Sequence, residues 1–287
     1  MAGMFAKLRQ RIIEAGLSAD ELDRIARAPL HLNSAGFDEW GLDPQTIKTA
    51  VASFKWLYKS YFRVETKNID RLPKGRAVVV GNHGGQIPID AMMVILSMLF
   101  EGEPPRIGRG MVERWVSSLP WIADFYMRCG QIVGDQKNCK DLLEKDETVV
   151  VFPEGVKGSG KTIEKKYQLQ GFGSGFLRLT LETGSPVVPV AIIGHEEAYP
   201  GLVDAKPIAK TLGIPYLPIT PLFPWLGFMG LVPLPTKIQI RYCEPIHFDA
   251  NPDATDEEVR AMVERVRMTL QKEINQGLLE RGDRIYT

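Results

Sequence analysis

The stretch AVVVGNHGGQIPIDAMM, residues 77–93, carries the residue types best suited to chemistry. An apolar β run ends in Asn82 and His83, and a helix is expected to begin at Pro88 with Asp90 in its first turn. Gly84 and Gly85 allow a tight turn beside the imidazole, so that Asp90 can fold back towards His83. A carboxylate on one ring nitrogen fixes the tautomer and leaves the other nitrogen free to take a proton from a hydroxyl. The alternative is a structural histidine beside an aspartate that merely favours a helix N-terminus.

A second group of residues follows the β run TVVVF, in FPEGVKGSGKT, residues 152–162. Glu154 and Gly155 end the run, and Lys157, Lys161, Lys165 and Lys166 set cations around a Gly-Ser-Gly loop, which suits a phosphate or else a solvated basic loop. Gly155, Gly160, Lys161 and Thr162 also satisfy the pattern of a nucleotide-binding P-loop. Gly171, Gly173 and Gly175 interrupt the helix such a loop requires, which leaves an NTPase as the weaker reading. His195, directly after VVPVAII, either lines the same pocket with Glu196 and Glu197 or is a solvated loop histidine. No metal-ligand spacing joins it to His31 or His247, and Cys129, Cys139 and Cys243 show no CxxC, so no metal site is expected.

The elements that must position these residues read as an α/β fold, a mixed sheet flanked by helices and preceded by an N-terminal helical region. Strands are expected at 77–80, 131–133, 148–152, 187–193 and 237–242, with helices near 89–100, 110–127, 172–183 and 255–278. The last of these opens with the capping signature of Thr255 and Glu258. Residues 1–62 are expected to form a helical region, possible membrane contact included; 63–250 the catalytic domain; and 251–287 a helix packed upon it. In the N-terminal region Phe5, Leu8, Ile12 and Ile13 recur at helical spacing, and a helix over 44–62 mixes Phe54, Trp56, Tyr58, Tyr61 and Phe62 with Lys48, Lys55 and Lys59. That mixture suits a headgroup layer or plain core packing.

Thirty-five basic residues balance thirty-five acidic ones, so no overall field draws the chain to nucleic acid. Leu212 to Pro235 has no charged residue, yet Pro215, Pro218, Pro221 and Pro224 rule out a regular spanning helix. This segment is either irregular core or a surface that dips into a lipid interface. The N-terminus is too charged for a signal peptide. The expected location is therefore the cytoplasmic side of a membrane, held peripherally, with no transmembrane helix.

Four blocks in order over residues 82–190 resemble the glycerolipid (lysophospholipid) acyltransferase superfamily. Asn82-His83 with Asp90 is similar to its His/Asp motif, Gly130 to Gln136 to its second block, Phe152-Pro153-Glu154-Gly155 to its third and Val188-Pro189-Val190 to its fourth. The stretches ETGSPVVPVAIIGHEEAYP and FPWLGFMGLVPLPTK resemble a subgroup that includes diacylglycerol-acyltransferase-like proteins, extending the similarity to about residue 245. The resemblance implies a single-step transfer without an acyl-enzyme, His83 deprotonating a glycerolipid hydroxyl that attacks an acyl thioester. It implies no bound cofactor, acyl-CoA or acyl carrier protein as donor, and a membrane lipid as acceptor. Asn82, Gly84, Gly130, Gln136, Lys137, Glu154, Gly155, Lys157 and Lys161 are the substrate-binding candidates, Glu154 as an acceptor contact. A lipid-binding relative without catalysis is the other reading that the resemblance allows.

The chain departs from the family at two places. Six residues separate His83 from Asp90, more than the family's usual four, and Gln136 stands where the family's second block has an arginine that contacts the acceptor phosphate. Glutamine lacks the charged, bidentate grip of a guanidinium. Either the adjacent Lys137 substitutes for it or the acceptor has no phosphate.

Overall fold

The computed structural model describes residues 2–84, 88–204 and 218–286. The middle of the His83 to Asp90 loop and the start of the proline-rich apolar segment lie outside the described residues, as does the side chain of Phe5. A seven-stranded mixed sheet forms the centre, in the order β1 (Glu65–Lys67), β9 (Gln239–Tyr242), β6 (Val187–Ile193), β2 (Ala77–Gly81), β5 (Thr148–Val151), β3 (Arg109–Val112) and β4 (Ile132–Val133). Strands β6, β2, β5, β3 and β4 are parallel to one another; β9 runs antiparallel to β6 and parallel to β1. A separate short hairpin joins β7 (Val203–Asp204) to β8 (Pro218–Ile219).

Parallel strands covered on both faces need apolar side chains throughout, and every residue of β2 and β6 is buried. Alternation along β2 sorts these side chains between two cores. Ala77 and Val79 join the core beneath the N-terminal helices α1 (Ala2–Gly16), α2 (Ala19–Arg27) and α3 (Pro44–Trp56), together with α4 (Ile89–Phe100). Val78 and Val80 face α6 (Gln136–Glu144), α8 (Gly175–Thr183) and α10 (Asp256–Arg281). The N-terminal helices therefore share a core with the sheet, through Ile13, Leu17, Ile25, Ile47 and Val51. Of the stripe in α1, Ile13 is buried, whereas Leu8 is exposed.

The helix expected near 110–127 is not formed as one element. Its first residues are the strand β3, followed by a 3-10 turn at Arg114–Ser118, and only α5 (Ile122–Arg128) is α-helical. Pro120 removes a backbone donor in the middle of that span, and Gly110 sits in the strand, where its amide donates to Gln131 Oε1 at 2.9 Å. The helix expected from 172 starts only at Gly175, after the glycines that delay it. Helix α6, capped by Asp135 on the Asn138 amide, and strand β1 are additional to the expected elements. At the start of α10, Thr255 Oγ1 accepts from the Glu258 amide and Glu258 Oε2 from the Thr255 amide, at 3.3 and 2.7 Å, so both halves of the capping box form.

Arg109 ties the N-terminal region to the sheet. Fully buried, it donates to Asp38 Oδ2 at 2.6 Å, to Glu147 Oε2 at 3.2 Å and to the Gly130 carbonyl at 2.8 Å. Replacing it strands two buried carboxylates. Arg109→Ala should lower unfolding free energy by about 3–5 kcal/mol in urea titrations; a loss below about 1 kcal/mol, the range of an exposed ion pair, would show the cluster to be solvated.

Candidate active site

Three parallel strands end side by side at the sheet's C-terminal edge, where chemistry in open α/β sheets collects. Just past β2, the fully buried Asn82 replaces a backbone rung with its side chain: Nδ2 donates to the Ile192 carbonyl at 2.9 Å, and Oδ1 accepts from the Ile192 amide at 2.8 Å. Asn82, expected among the substrate contacts, is thus committed to splicing β2 to β6. His83 leaves the sheet immediately after this clip.

His83 Nδ1 lies 2.6 Å from Asp90 Oδ2, a charge-assisted hydrogen bond. Asp90 is the second residue of α4 and wholly buried; its Oδ2 also accepts from the Gly84 amide at 3.1 Å, and its Oδ1 from the Ala91 amide at 2.8 Å. The long spacing between the two residues therefore closes the pair. The imidazole leans on the Phe152 ring at 4.9 Å between centroids, and 17% of its side chain reaches solvent. Its Nε2 makes no hydrogen bond to a described residue.

Glu154, from the turn after β5, has a side chain with no solvent exposure. Its Oε1 accepts from the His83 amide at 3.0 Å and its Oε2 from the Gln170 amide at 2.8 Å. Lys161 Nζ sits 3.3 Å from Glu154 Oε2 and 2.8 Å from Glu196 Oε1, with 4% of its side chain exposed. Glu196 Oε2 in turn accepts from the Tyr167 amide at 2.8 Å. Both Glu154 and Lys161, expected to hold substrate, are enclosed as the frame beneath His83, because each satisfies a charge that burial would otherwise leave bare.

The residues around the imidazole thus include three buried carboxylates, Asp90, Glu154 and Glu196, against one ammonium, Lys161. Burial alone would disfavour the imidazolium, but Asp90, and more weakly Glu154, outweigh it and raise His83 above its ordinary value of 6.5. For Asp90, burial is likewise outweighed by the His83 charge and hydrogen bond, with smaller help from His195 and the Gly84 amide, so its carboxyl is held below the usual range.

Comparison with known proteins adds to this geometry. Residues 63–193 match the Acyltransferase family, a span holding the pair, the turn after β5 and all of β6. A protein of Mycobacterium leprae is 41% identical over 241 residues, 82% of this chain and 66% of its own. The DGAT1/2-independent enzyme synthesizing storage lipids of Gallus gallus is 24% identical over 192 residues, 67% of this chain and 54% of its own. A 1-acyl-sn-glycerol-3-phosphate acyltransferase of Limnanthes alba is 26% identical over 176 residues, 57% and 56% of the two chains. This protein belongs to the glycerolipid acyltransferase superfamily. The chain spans about two thirds of the length of its mycobacterial relative.

The other positions suggested by this acyltransferase kinship fall at varied distances from the pair. Gly155, with φ of +53°, makes the turn after Glu154, and Lys157 is exposed on the single turn α7 (Val156–Ser159). Gly130, with φ of +86°, is buried against Arg109 rather than beside His83. Gln136 and Lys137 are exposed on the first turn of α6, where Lys137 pairs with Asp141 at 3.3 Å. They follow β4, which is three strand positions from β2, or about 14 Å at the usual spacing. The P-loop reading fares worse: a 3-10 turn at Ile163–Lys165 follows the loop in place of a helix, and Lys161 is enclosed between carboxylates. Among the described residues no His, Cys, Asp and Glu group is arranged to hold a metal ion.

Gly158 is a contributor that sequence reasoning did not single out. A Cβ there would stand 2.8 Å from Glu154 Cβ and 3.0 Å from both His83 Cβ and the His83 carbonyl oxygen, so α7 packs against the base of His83 only because this position has no side chain. The contact with His83 spans 75 positions of the chain, and no local pattern announces it.

The pair also sets a pH signature. Because its folded value is raised, His83 contributes stability that is complete below 6.5 and is lost as pH rises through the folded value. The difference in urea midpoint between the natural protein and Asp90→Asn should be greatest just below that pH and narrow towards alkaline pH; a gap that widens instead would mean that the imidazolium is not what Asp90 stabilises.

Proposed function

We propose that this protein transfers a fatty acyl group from a thioester, acyl-CoA or acyl carrier protein, to a hydroxyl of an acylglycerol or lysophospholipid. His83 is the general base and Asp90 its orienting partner. The observation that carries this reading is the 2.6 Å His83 to Asp90 bond at the strand ends, with the opposite ring nitrogen unbonded to described residues. His83 Nε2 takes the hydroxyl proton as the oxygen attacks the thioester carbonyl, and the imidazolium formed is stabilised by Asp90. Collapse of the tetrahedral intermediate breaks the C–S bond, and the proton passes from Nε2 to the leaving thiolate. The negative surroundings of His83 favour this transient cation.

An acceptor without a phosphate fits the uncharged Gln136 better than a phosphorylated one. The name of the chicken relative, which refers to storage lipids, agrees with a neutral acceptor; the name of the Limnanthes relative points to a phosphorylated one. Peripheral attachment to a membrane is part of the same proposal. Trp56 on α3, and Trp225, Leu226 and Met229 in the apolar segment, are each more than half exposed. Tyr61 joins the two regions: its ring lies 5.1 Å from that of Trp56, and its hydroxyl donates to the Pro233 carbonyl at 2.6 Å. Lys55 and Lys59, by contrast, are paired with Glu21 at 2.8 and 2.7 Å and are not free cations for headgroups. Among the described residues no helix is long and apolar enough to cross a membrane.

Transfer from labelled acyl-CoA and acyl carrier protein to a panel of acylglycerols and lysophospholipids tests the reaction. His83→Ala should lower kcat by about 10²–10⁴, Asp90→Asn should also lower it, and kcat/KM of the natural protein should fall with acid at a pH above 6.5, as a raised base requires. Absence of transfer to every acceptor, with liposome binding retained in His83→Ala, would favour the lipid-binding reading. Separately, the double variant Trp56→Ser with Trp225→Ser should bind neutral and anionic liposomes several-fold more weakly in flotation; unchanged binding would remove these side chains from the membrane contact.

A further inference from the structure

His195 opens the short helix α9 (His195–Ala198) directly after β6 and is 2% exposed. Neither ring nitrogen has a hydrogen-bond partner among the described residues. A buried imidazole left unbonded at both nitrogens is unfavourable, and its location suggests why it is kept. Nε2 lies 3.9 Å from Asp90 Oδ2 and 3.9 Å from Glu196 Oε1. Gly84 packs against the same nitrogen so closely that a Cβ there would stand 3.1 Å away.

At 3.9 Å neither carboxylate is directly hydrogen-bonded to the ring. Electrostatics still separates the two tautomers. A lone pair on Nε2 would face two negative groups, whereas an N–H there presents its positive end to both. We propose that His195 is a positioning residue for the His83 and Asp90 pair, held neutral with its proton on Nε2, where the N–H dipole keeps the Asp90 carboxylate turned towards His83.

The groups around the ring agree with a neutral state. Asp90 faces it from α4, Glu196 from its own helix, Lys161 from the loop after α7 and His83 from the end of β2, while the Tyr167 ring lies edge-on at 6.4 Å. Burial lowers the proton affinity of His195, the cations of Lys161 and His83 add to this, and the two carboxylates do not overcome it. The proton affinity of His195 is thus lowered while that of His83 is raised, so that as pH falls His83 takes up its proton first. The shared oxygen, Asp90 Oδ2, then has the His83 and Gly84 donors in direct contact and His195 as a third, more distant one.

The kinetic arm of the test rests on the proposed acyl transfer; the spectroscopic arms do not. In the natural protein, imidazole 15N shifts should show His195 protonated on Nε2 and unprotonated on Nδ1, unchanged through the pH range in which His83 titrates. His195→Gln keeps an N–H donor, and His195→Met removes it at similar volume. The downfield 1H resonance of the His83 to Asp90 hydrogen bond should be retained in the Gln variant and shifted upfield in the Met variant. Acyl transfer should follow the same order, with kcat of the Met variant reduced about 10–100-fold, KM unchanged and the acid limb of its pH profile displaced.

A His195 that carries its proton on Nδ1, or that titrates together with His83, would overturn the proposal even if the Met variant does not fold. Equal behaviour of folded Gln and Met variants would overturn it as well. The expected tautomer and resonance shifts in a protein that transfers no acyl group would instead retain the placement of His195 and sink the reaction.

Discussion

The buried carboxylate of Glu154 is the constraint on which the rest of the site hangs. A lone carboxylate without solvent contact would cost several kcal/mol, and each of its neighbours supplies it with a hydrogen bond or an opposite charge. The His83 amide approaches from the end of β2, the Gln170 amide from the chain that leads to α8, and Lys161 from the loop between. Lys161 also reaches Glu196 just beyond β6, so one ammonium bridges the ends of β5 and β6. Asn82 adds a neutral clip between β2 and β6 at the same level. Three strand ends are thereby fixed relative to one another, and the backbone of His83 is fixed by the strand before it and the carboxylate behind it.

This arrangement has an electrostatic consequence that geometry alone does not convey. The frame is negative in sum, and among the described residues the imidazole above it is the only partner of the Asp90 carboxylate able to take up a proton within hydrogen-bond distance. A general base is useful when its cationic form is favoured just enough to accept a proton and still release it. Burial works against the cation here, the carboxylates work for it, and Lys161 moderates them. Removal of Lys161 would therefore strengthen His83 as a base while leaving two buried carboxylates facing each other. Basicity and stability are thus coupled through this lysine.

Legibility in the sequence followed the range of the interactions. Strands β2 and β6 were readable because each is a continuous apolar run, and α10 because its cap is made within four residues. Pairing of His83 with Asp90 was foreseeable from a tight turn between a strand and a helix. Lys161 was not: local context gave a glycine-rich loop with cations, whereas its partners Glu154 and Glu196 come from two different strand ends, the latter 35 positions away. Glu154 was placed by resemblance at the acceptor, yet contacts from 71 positions upstream and 16 downstream draw it inward. The span 110–127 failed for a local reason, its periodicity suggesting one helix while Pro120 and the pairing of β3 with β5 divided it.

The layout of the sheet also bears on the acceptor. A site built at one strand end has the remaining strands as a ruler, and the first turn of α6 stands about 14 Å along that ruler from His83. A phosphate on the glycerol carbon next to the reacting hydroxyl would meet Lys137 only with the lysine fully extended along the sheet edge and released from Asp141. Lys157 is different, since it lies on the turn that packs against the base of His83 through Gly158. If a charged headgroup is held close to the imidazole, the exposed cation of α7 is better placed to meet it than α6. A neutral acceptor needs neither, and the carboxylate frame below His83 would then work on a substrate whose charge appears only as the hydroxyl proton leaves.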